Sequence, residues 1–279
     1  MACDKKIVNR LKRAEGQLRG IQKMIEENLL QEINFDNIPN YANIDDEFKN
    51  QTYDKNNEYS VPYFWGTLGI VYNKDKVTTP VTSWDALWDK NYERQIIMMD
   101  SSRDAIGLSL KRLGYSLNSR DENELNEAKD ELIAQKSLIW AYQMDETKDI
   151  MINGEASLAV MYSGDAADAM NSASNLEYVI PEEGSNIFID AMVIPKNAEN
   201  KENAEKFINF MLDVDNAARN ASIGYSTPIS AAKEKLEDSL KNNKAAYPDA
   251  KNIEGLETFR DPADMLDTYD QIWQDVKSN

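Results

Sequence analysis

The segment ASLAVMYSGDAADA (156–169) shows the pattern that decides the fold. Its first half is an apolar strand pattern, and at Ser163 it turns into a run of small residues that favours a helix. The same alternation recurs elsewhere, as in QIIMM (95–99), which a helical pattern over 103–114 follows. Strands that alternate with helices predict an α/β fold built on mainly parallel sheets with covered faces.

The composition of the 279 residues excludes several classes of site. There is no histidine and one cysteine, so a Ser-His-Asp triad, a histidine zinc site and an intrachain disulfide are all impossible. The formal charge is 31 − 49 = −18, which repels nucleic acid phosphates and favours a cationic ligand. We therefore expect no metal, no cofactor and no nucleic acid partner for the main body of the chain.

The N-terminal segment, residues 1–28, differs from the rest. It carries seven basic and four acidic residues, a net charge of +3. Apolar residues recur at steps of four and three, which predicts one amphipathic helix; they are Ile7, Leu11, Ala14, Leu18, Ile21 and Ile25. Such a helix either binds a partner or DNA, or is a solvated helix with one apolar face. Charges interrupt every turn, so the segment is not a secretory signal peptide.

The sequence of this segment also resembles part of a known protein family. KKIVNRLKRAEGQLRGIQKMIEEN (5–28) resembles the first helix of the copper- and formaldehyde-sensing repressor family. The resemblance ends near Asn28, before the metal- or aldehyde-sensing residues of that family, and Cys3 matches none of them. No sensing function carries over.

A second resemblance covers residues 29–279. It rests on six sequence motifs: EYSVPYFWGTLGIVYN (58–73), TSWDALWD (82–89), MMDSSRDAIGLSLKRLGYSLNS (98–119), INGEASLAVMYSGDAADA (152–169), IPEEGSNIFIDAMVIPKNAENKENAEKFINFML (180–212) and IGYSTPISAA (223–232). Together they resemble the spermidine/putrescine-binding proteins of polyamine ABC importers. The resemblance implies a non-enzymatic protein of the periplasm or outer membrane face, which binds a polyamine in a cleft between two lobes and delivers it to a membrane permease.

The resemblance also implies a domain organisation. The fold is the two-lobed periplasmic-binding-protein fold of the class whose chain crosses between lobes more than once. Lobe one would hold residues 29–65 and 190–233, and lobe two residues 66–189 and 234–279. The opening strands of lobe one do not appear before Leu29, so we expect an incomplete first lobe and weaker binding. A chimera, a rearranged gene and a genuine fusion all remain open.

Candidate ligand-binding residues follow from the same six motifs. The resemblance assigns amine-binding acids to Asp104 and Asp190, and aromatic walls to Tyr162, Phe188 and Tyr225. Ser101 stands where the family can have a second acid. Three matches are looser: Trp65, Phe259 and Asp145. The residue types suit a polyamine, because carboxylates pair with ammonium groups and aromatic faces cover methylenes and attract cations.

Each candidate also has a structural interpretation. Asp100 or Ser101 could cap the helix over 103–114, and the aromatics could be core residues. Asp190 stands inside an apolar strand pattern, where a carboxylate needs a partner.

Two other functions compete with polyamine capture. One is a fusion or regulatory interaction protein that uses the repressor-like helix. The other is a carboxylate-based hydrolase, which is disfavoured because the matched acids accompany aromatics suited to amines.

Overall fold

A computed structural model describes residues 17–249, 255–262 and 265–278. The chain divides into two compact units. Unit 1 contains the chain up to Trp65 together with Phe188–Ala221 and Thr227–Lys235. Unit 2 contains Gly66–Ile187, Ser222–Ser226 and the chain from Leu236. Each unit is therefore assembled from segments that are distant in sequence.

Six strands form the described sheet. They are β1 (Ser60–Asn73), β2 (Ile96–Met99), β3 (Ile139–Gln143), β4 (Leu158–Tyr162), β5 (Leu176–Val179) and β6 (Ile187–Val193). Their order is β3-β2-β4-β1-β5, and β6 also pairs with β1. The crossover order places the ends of β2 and β4 side by side in unit 2.

The sheet is mixed. β2 is parallel to both β3 and β4, as βαβ connections require. β1 is antiparallel to β4 and to β5, with Leu68 opposite Tyr162 and Ile70 opposite Val179. The prediction of mainly parallel pairing was wrong for β1. Hydrophobic alternation identifies strands, but the direction of a neighbour depends on the path between them.

Ten helices are described here by their bounds. They are α1 (Gln17–Glu26), α2 (Ser102–Arg112), α3 (Glu122–Gln135), α4 (Thr147–Ile152), α5 (Ser163–Ser172), α6 (Lys201–Met211), α7 (Val214–Ala221), α8 (Ser230–Lys233), α9 (Asp238–Lys241) and α10 (Leu266–Ser278). Among the residues that the structure describes, every helix is too short or too polar to span a lipid bilayer.

The core of unit 2 lies where helices α2, α3 and α10 pack against the sheet. Ile70 of β1, Ile96 of β2 and Leu158 of β4 are fully buried there. Ile106 and Leu110 bring the apolar face of α2 into the same core, as their spacing predicts. This packing fixes α2, and with it the side chains of the first turn of α2.

The N-terminal segment is described only from Gln17. Helix α1 ends at Glu26, Asn28 takes a positive φ of 55°, and Ile21 is buried. Leu30 then forms an antiparallel bridge with Pro195, and Gln31 N–H donates to the Ile194 carbonyl at 2.9 Å. The remainder of the helix that the sequence predicts over 1–28, with Cys3, lies outside the described residues.

The sequence pattern over 201–212 predicts a helix with Ala204, Phe207, Ile208 and Met211 on its apolar face, and α6 departs from that prediction. Ile208 is only 4% exposed, as expected, but Phe207 is 59% exposed and Phe210 55%. The buried polar residue of this helix is Glu205, at 1% exposure. Its carboxylate accepts from Asn34 N–H at 2.8 Å and from Asn37 Nδ2 at 2.7 Å. These hydrogen bonds turn Glu205 inward, and the helix rotation leaves Phe207 outside.

Candidate functional site

The strongest candidate site in unit 2 is built around Asp104, in the first turn of α2. One carboxylate oxygen, Oδ2, accepts from Ser101 Oγ at 2.6 Å and from Tyr162 Oη at 3.0 Å. Ser101 also accepts from the Asp104 N–H at 3.4 Å, so it caps the helix while it holds the carboxylate. The interpretation of Ser101 as a helix cap is therefore confirmed, and its role toward a ligand stays a prediction.

The other oxygen of this carboxylate is available. Oδ1 of Asp104 is buried and has no hydrogen-bond partner among the described residues. Desolvation by burial raises the pKa of Asp104, although the hydrogen bonds from Ser101 and Tyr162 and the charge of Arg103 act in the opposite direction. A buried carboxylate with one unsatisfied oxygen is costly, and a bound cationic donor would satisfy that oxygen and remove the cost.

Two further residues of unit 2 lie beside Asp104. A cavity of about 10 Å³ is lined by Asp104, Asn186 and the ring of Phe259, among others. Asn186 is 4% exposed, and its Oδ1 is also buried without a hydrogen-bond partner in the described chain. The cavity has room for about one water-sized group. Its lining therefore combines a carboxylate, an amide and an aromatic ring with Lys111, whose Nζ pairs with Glu257 Oε1 at 2.9 Å.

Two residues of helix α2 contact Phe259. Its ring lies under the Arg103 guanidinium, with 4.5 Å between the guanidinium carbon and the ring centroid. The ring also packs so closely on Gly107 that a Cβ there would lie 3.0 Å from its Cζ atom. The structure thus places Phe259 next to Asp104, although the sequence match there is loose.

Tyr225 is positioned by two glycines of unit 2. Gly224 has a φ of +110°, and a Cβ there would come within 3.3 Å of the Gly164 carbonyl oxygen. A Cβ on Gly164 would lie only 2.8 Å from Cδ1 of Tyr225. The ring therefore packs directly on the start of helix α5 and remains 39% exposed. Tyr225 and Tyr162 flank the same strand-to-helix junction, because Tyr162 is the last residue of β4.

In unit 1 the candidate acid is Asp190, on strand β6. It is half-buried, and burial raises the pKa of its carboxyl group. Phe188 lies on the same face of the strand, two residues before it, and is also half-buried. Asp190 has the character of a carboxylate held in an apolar environment.

Tyr53 is the second notable group in unit 1, and sequence analysis missed it. Its hydroxyl is buried and has no hydrogen-bond partner among the described residues. Burial raises the pKa of Tyr53 strongly, and the charges of Asp54 and Asp190 raise it further. Tyr53 and Asp190, both in unit 1, are thus coupled electrostatically. Tyr53 lies in the polar segment QTYDKNNEY (51–59), and none of the six motifs that carry the resemblance includes it.

The remaining two candidates lie in different settings. Trp65 is a buried residue of unit 1, where its ring centroid is 5.4 Å from that of Phe48 and its Nε1 donates to the Thr227 carbonyl at 3.4 Å. Asp145 is an exposed residue of unit 2; burial raises the pKa of the nearby half-buried Asp165, and the charge of Asp145 adds to that effect. Neither residue is part of the Asp104 cluster.

Comparison with known proteins shows the family. Residues 19–254 match the sequence profile of the family described as bacterial extracellular solute-binding protein. The chain belongs to this family. This solute-binding protein is also 36% identical, over 260 residues, to the spermidine/putrescine-binding periplasmic protein of Salmonella typhimurium; the match covers 92% of this chain and 75% of that protein.

Two solved structures agree with this assignment. One is the spermidine/putrescine ABC transporter substrate-binding protein PotD of Streptococcus pneumoniae, with 42% identity and a TM-score of 0.85. The other is a putative spermidine/putrescine ABC transporter protein of Listeria monocytogenes, with 41% identity and a TM-score of 0.87. Each covers 92% of this chain, which covers 80% of each. The α/β periplasmic-binding fold expected from the resemblance is thereby confirmed.

The N-terminal resemblance is confirmed as well. Residues 4–30 match the profile of the metal-sensitive transcriptional repressors. The match covers a small part of the chain, and it overlaps the solute-binding match from residue 19. Among the described residues, no group of three or more Cys, Asp or Glu side chains is arranged to hold a metal ion.

Proposed function

We propose that this solute-binding protein captures a polyamine, of the spermidine or putrescine class, and delivers it unchanged to the membrane permease of an ABC importer. The observation that carries the proposal is the unsatisfied Oδ1 of Asp104, a buried carboxylate oxygen beside the ring of Phe259. A primary ammonium supplies both the charge and the hydrogen-bond donors that this oxygen lacks. The names of the relatives support the same ligand class.

The two acids have separate roles in the proposal. As the resemblance implies, Asp104 binds one amino group of the polyamine and Asp190 binds another. Tyr162, Phe188 and Tyr225 cover the methylene groups and attract the ammoniums through their π faces, an effect of roughly 0.5–2 kcal/mol per contact. Units 1 and 2 are the two lobes that the resemblance implies. As in the periplasmic relatives, the protein acts outside the cytoplasmic membrane.

The competing regulatory function has less support. The repressor match is confined to residues 4–30, whereas the solute-binding match extends over residues 19–254. The acidity of the whole chain, −18, also opposes binding to DNA.

Isothermal titration of the full chain with putrescine and with spermidine tests the proposal. We expect binding by the wild-type chain and a loss of roughly a hundredfold or more in Asp104→Asn and in Asp190→Asn, since each change removes one charge-assisted contact. Asp130→Asn is the matched control, because Asp130 is an exposed residue of α3. Wild-type affinity in both site variants would refute the assignment of the acids, and absence of binding to the folded chain would refute the function. Mass spectrometry of the released ligand should find it chemically unaltered.

A further inference from the structure

Unit 2 holds a second group of residues suited to a cation, where the parallel strands β2 and β3 end side by side. Tyr142 lies in β3, Trp273 lies in helix α10, and Asp100 directly follows β2. The two aromatic rings meet edge to face, with 5.4 Å between their centroids and 88° between their planes. Asp100, Tyr142 and Trp273 are called the aromatic cage below.

An ammonium group of the chain itself occupies the aromatic cage. Nζ of Lys277 lies 4.3 Å from the centroid of the Tyr142 ring and 5.2 Å from that of the Trp273 ring. The same Nζ donates to Oδ1 of Asp100 at 2.8 Å. Aromatic rings and a carboxylate are the groups that recognise an alkylammonium in proteins. The side chain of Lys277 is an aminobutyl group, and it therefore shows which kind of ligand the cage fits.

Contacts other than those with Lys277 hold the walls of the cage. Tyr142 and Trp273 both pack against the hydrophobic core of unit 2. Asp100 is fixed beside β3, because its N–H donates to the Gln143 carbonyl at 3.2 Å. We therefore expect the two rings and the carboxylate to keep their arrangement when the lysine side chain leaves.

The lysine side chain, in contrast, is replaceable. Lys277 lies in the last turn of α10, where 36% of its side chain is exposed, and its partner Asp100 is 45% exposed. An ion pair with this much exposure contributes little to stability. The backbone of the turn is anchored separately, since Lys136 Nζ donates to the Lys277 carbonyl at 2.8 Å. An ammonium from solvent can therefore reach the Asp100 carboxylate without unfolding the helix.

We propose that the aromatic cage is a second cation site, which takes the ammonium end of a primary alkylamine in exchange with Lys277. The ligand places its ammonium where Nζ of Lys277 lies and pairs with Asp100 as the lysine does. Because the lysine competes from within the chain, the apparent affinity is reduced in proportion to the fraction of molecules whose cage is empty. Removal of the lysine side chain should therefore reveal a tighter site.

An NMR titration of the full chain with n-butylammonium chloride tests the proposal, with the indole N–H resonance of Trp273 as the readout. We expect Lys277→Ala to bind at least roughly tenfold more tightly than wild type, because its cage is always empty. Asp100→Asn added to Lys277→Ala should abolish that gain, since it removes the carboxylate. The same titrations in an Asp104→Asn background leave the cage intact, so the result does not depend on the proposed function.

Two controls separate the cage from a general effect. Lys90→Ala removes an exposed lysine of unit 2 outside the cage and should bind as the wild type does. n-Butanol has the alkyl chain without the charge and should leave the Trp273 resonance unshifted. Thermal melts establish that each variant is folded. Equal affinities with and without the Lys277 side chain would overturn the proposal, and so would a gain that survives Asp100→Asn or appears equally in Lys90→Ala.

Discussion

The hydroxyl of Tyr162 donates to Oδ2 of Asp104 across 3.0 Å. Tyr162 ends β4 and Asp104 lies in the first turn of α2, which follows β2, so the contact depends on the pairing of β2 with β4. Because Ser101 donates to the same oxygen, Oδ1 is the oxygen left for a ligand. The two hydroxyls thus orient the carboxylate before any ligand arrives.

Removal of that hydroxyl should weaken binding without removing the aromatic wall. We expect Tyr162→Phe to lower polyamine affinity roughly ten- to a hundredfold, since one hydrogen bond to a charged group contributes about 1.5–3 kcal/mol. Tyr162→Ala should lose more, because it also removes the ring. Titration calorimetry with putrescine measures both. Equal affinities in wild type and Tyr162→Phe would show that the hydroxyl does not position Asp104.

Asp104 should destabilise the free chain while it contributes to polyamine binding, and this destabilisation should depend on pH. Burial raises its pKa in the folded chain, so the folded state holds the proton more tightly than the unfolded state does. Its contribution to the free energy of unfolding is therefore favourable below the unfolded pKa and is lost as the pH rises through the folded pKa. Asp104→Asn should raise the melting temperature at pH 7 by a few degrees while it weakens polyamine binding roughly a hundredfold or more.

Melting curves of the free chain between pH 4 and pH 7 check this sign. The difference in melting temperature between Asp104→Asn and wild type should grow as the pH rises. The exposed control Asp130→Asn should show no such trend. A variant that is less stable than wild type at pH 7 would contradict the expected cost of the buried charge.

Gly164 should be required for the placement of Tyr225. A Cβ at this position would lie 2.8 Å from Cδ1 and 2.9 Å from Cε1 of the ring, so Gly164→Ala must displace the ring. We expect a several-fold loss of polyamine affinity with a small change in melting temperature, because 39% of Tyr225 is exposed and the ring can move outward. Gly114→Ala is a useful comparison: Gly114 has a φ of +84° and nothing within 4 Å of its Cβ position, so strain alone should lower stability and leave affinity unchanged.

The sequence predicted those features of the fold and site that depend on local patterns. Ser101 as a helix cap, Asp104 in the first turn of α2, and the turn from β4 into α5 all follow from short stretches of chain. The resemblance to the family likewise rested on short sequence motifs. Local hydrogen bonding and hydrophobic periodicity are properties that one segment carries by itself.

Features that depend on distant segments could not be predicted. The bond between Tyr162 and Asp104 joins residues 58 positions apart. The inward rotation of Glu205, which leaves Phe207 exposed, depends on Asn34 and Asn37, about 170 positions earlier in the chain. Asn186 and Tyr53 carried no sequence signal, because an isolated polar or aromatic residue gains significance only from its buried surroundings. Tertiary contacts overrode the apolar face that the pattern of α6 predicts.

Glu205 offers a direct test of that tertiary contact. Burial raises the pKa of its carboxyl group, but hydrogen bonds from Asn34 and Asn37 together with Lys201, whose Nζ lies 3.0 Å from Oε1, outweigh burial and lower the pKa overall. Glu205→Ala should lower the free energy of unfolding by about 3 kcal/mol, because it leaves buried donors without an acceptor. Glu202→Ala is the matched control on the same helix. Its carboxylate pairs with Lys206 at 2.6 Å on an exposed face, where such a pair contributes about 0.3–0.5 kcal/mol. Urea denaturation measures both variants, and similar losses in the two would show that Glu205 does not hold α6 in its rotated position.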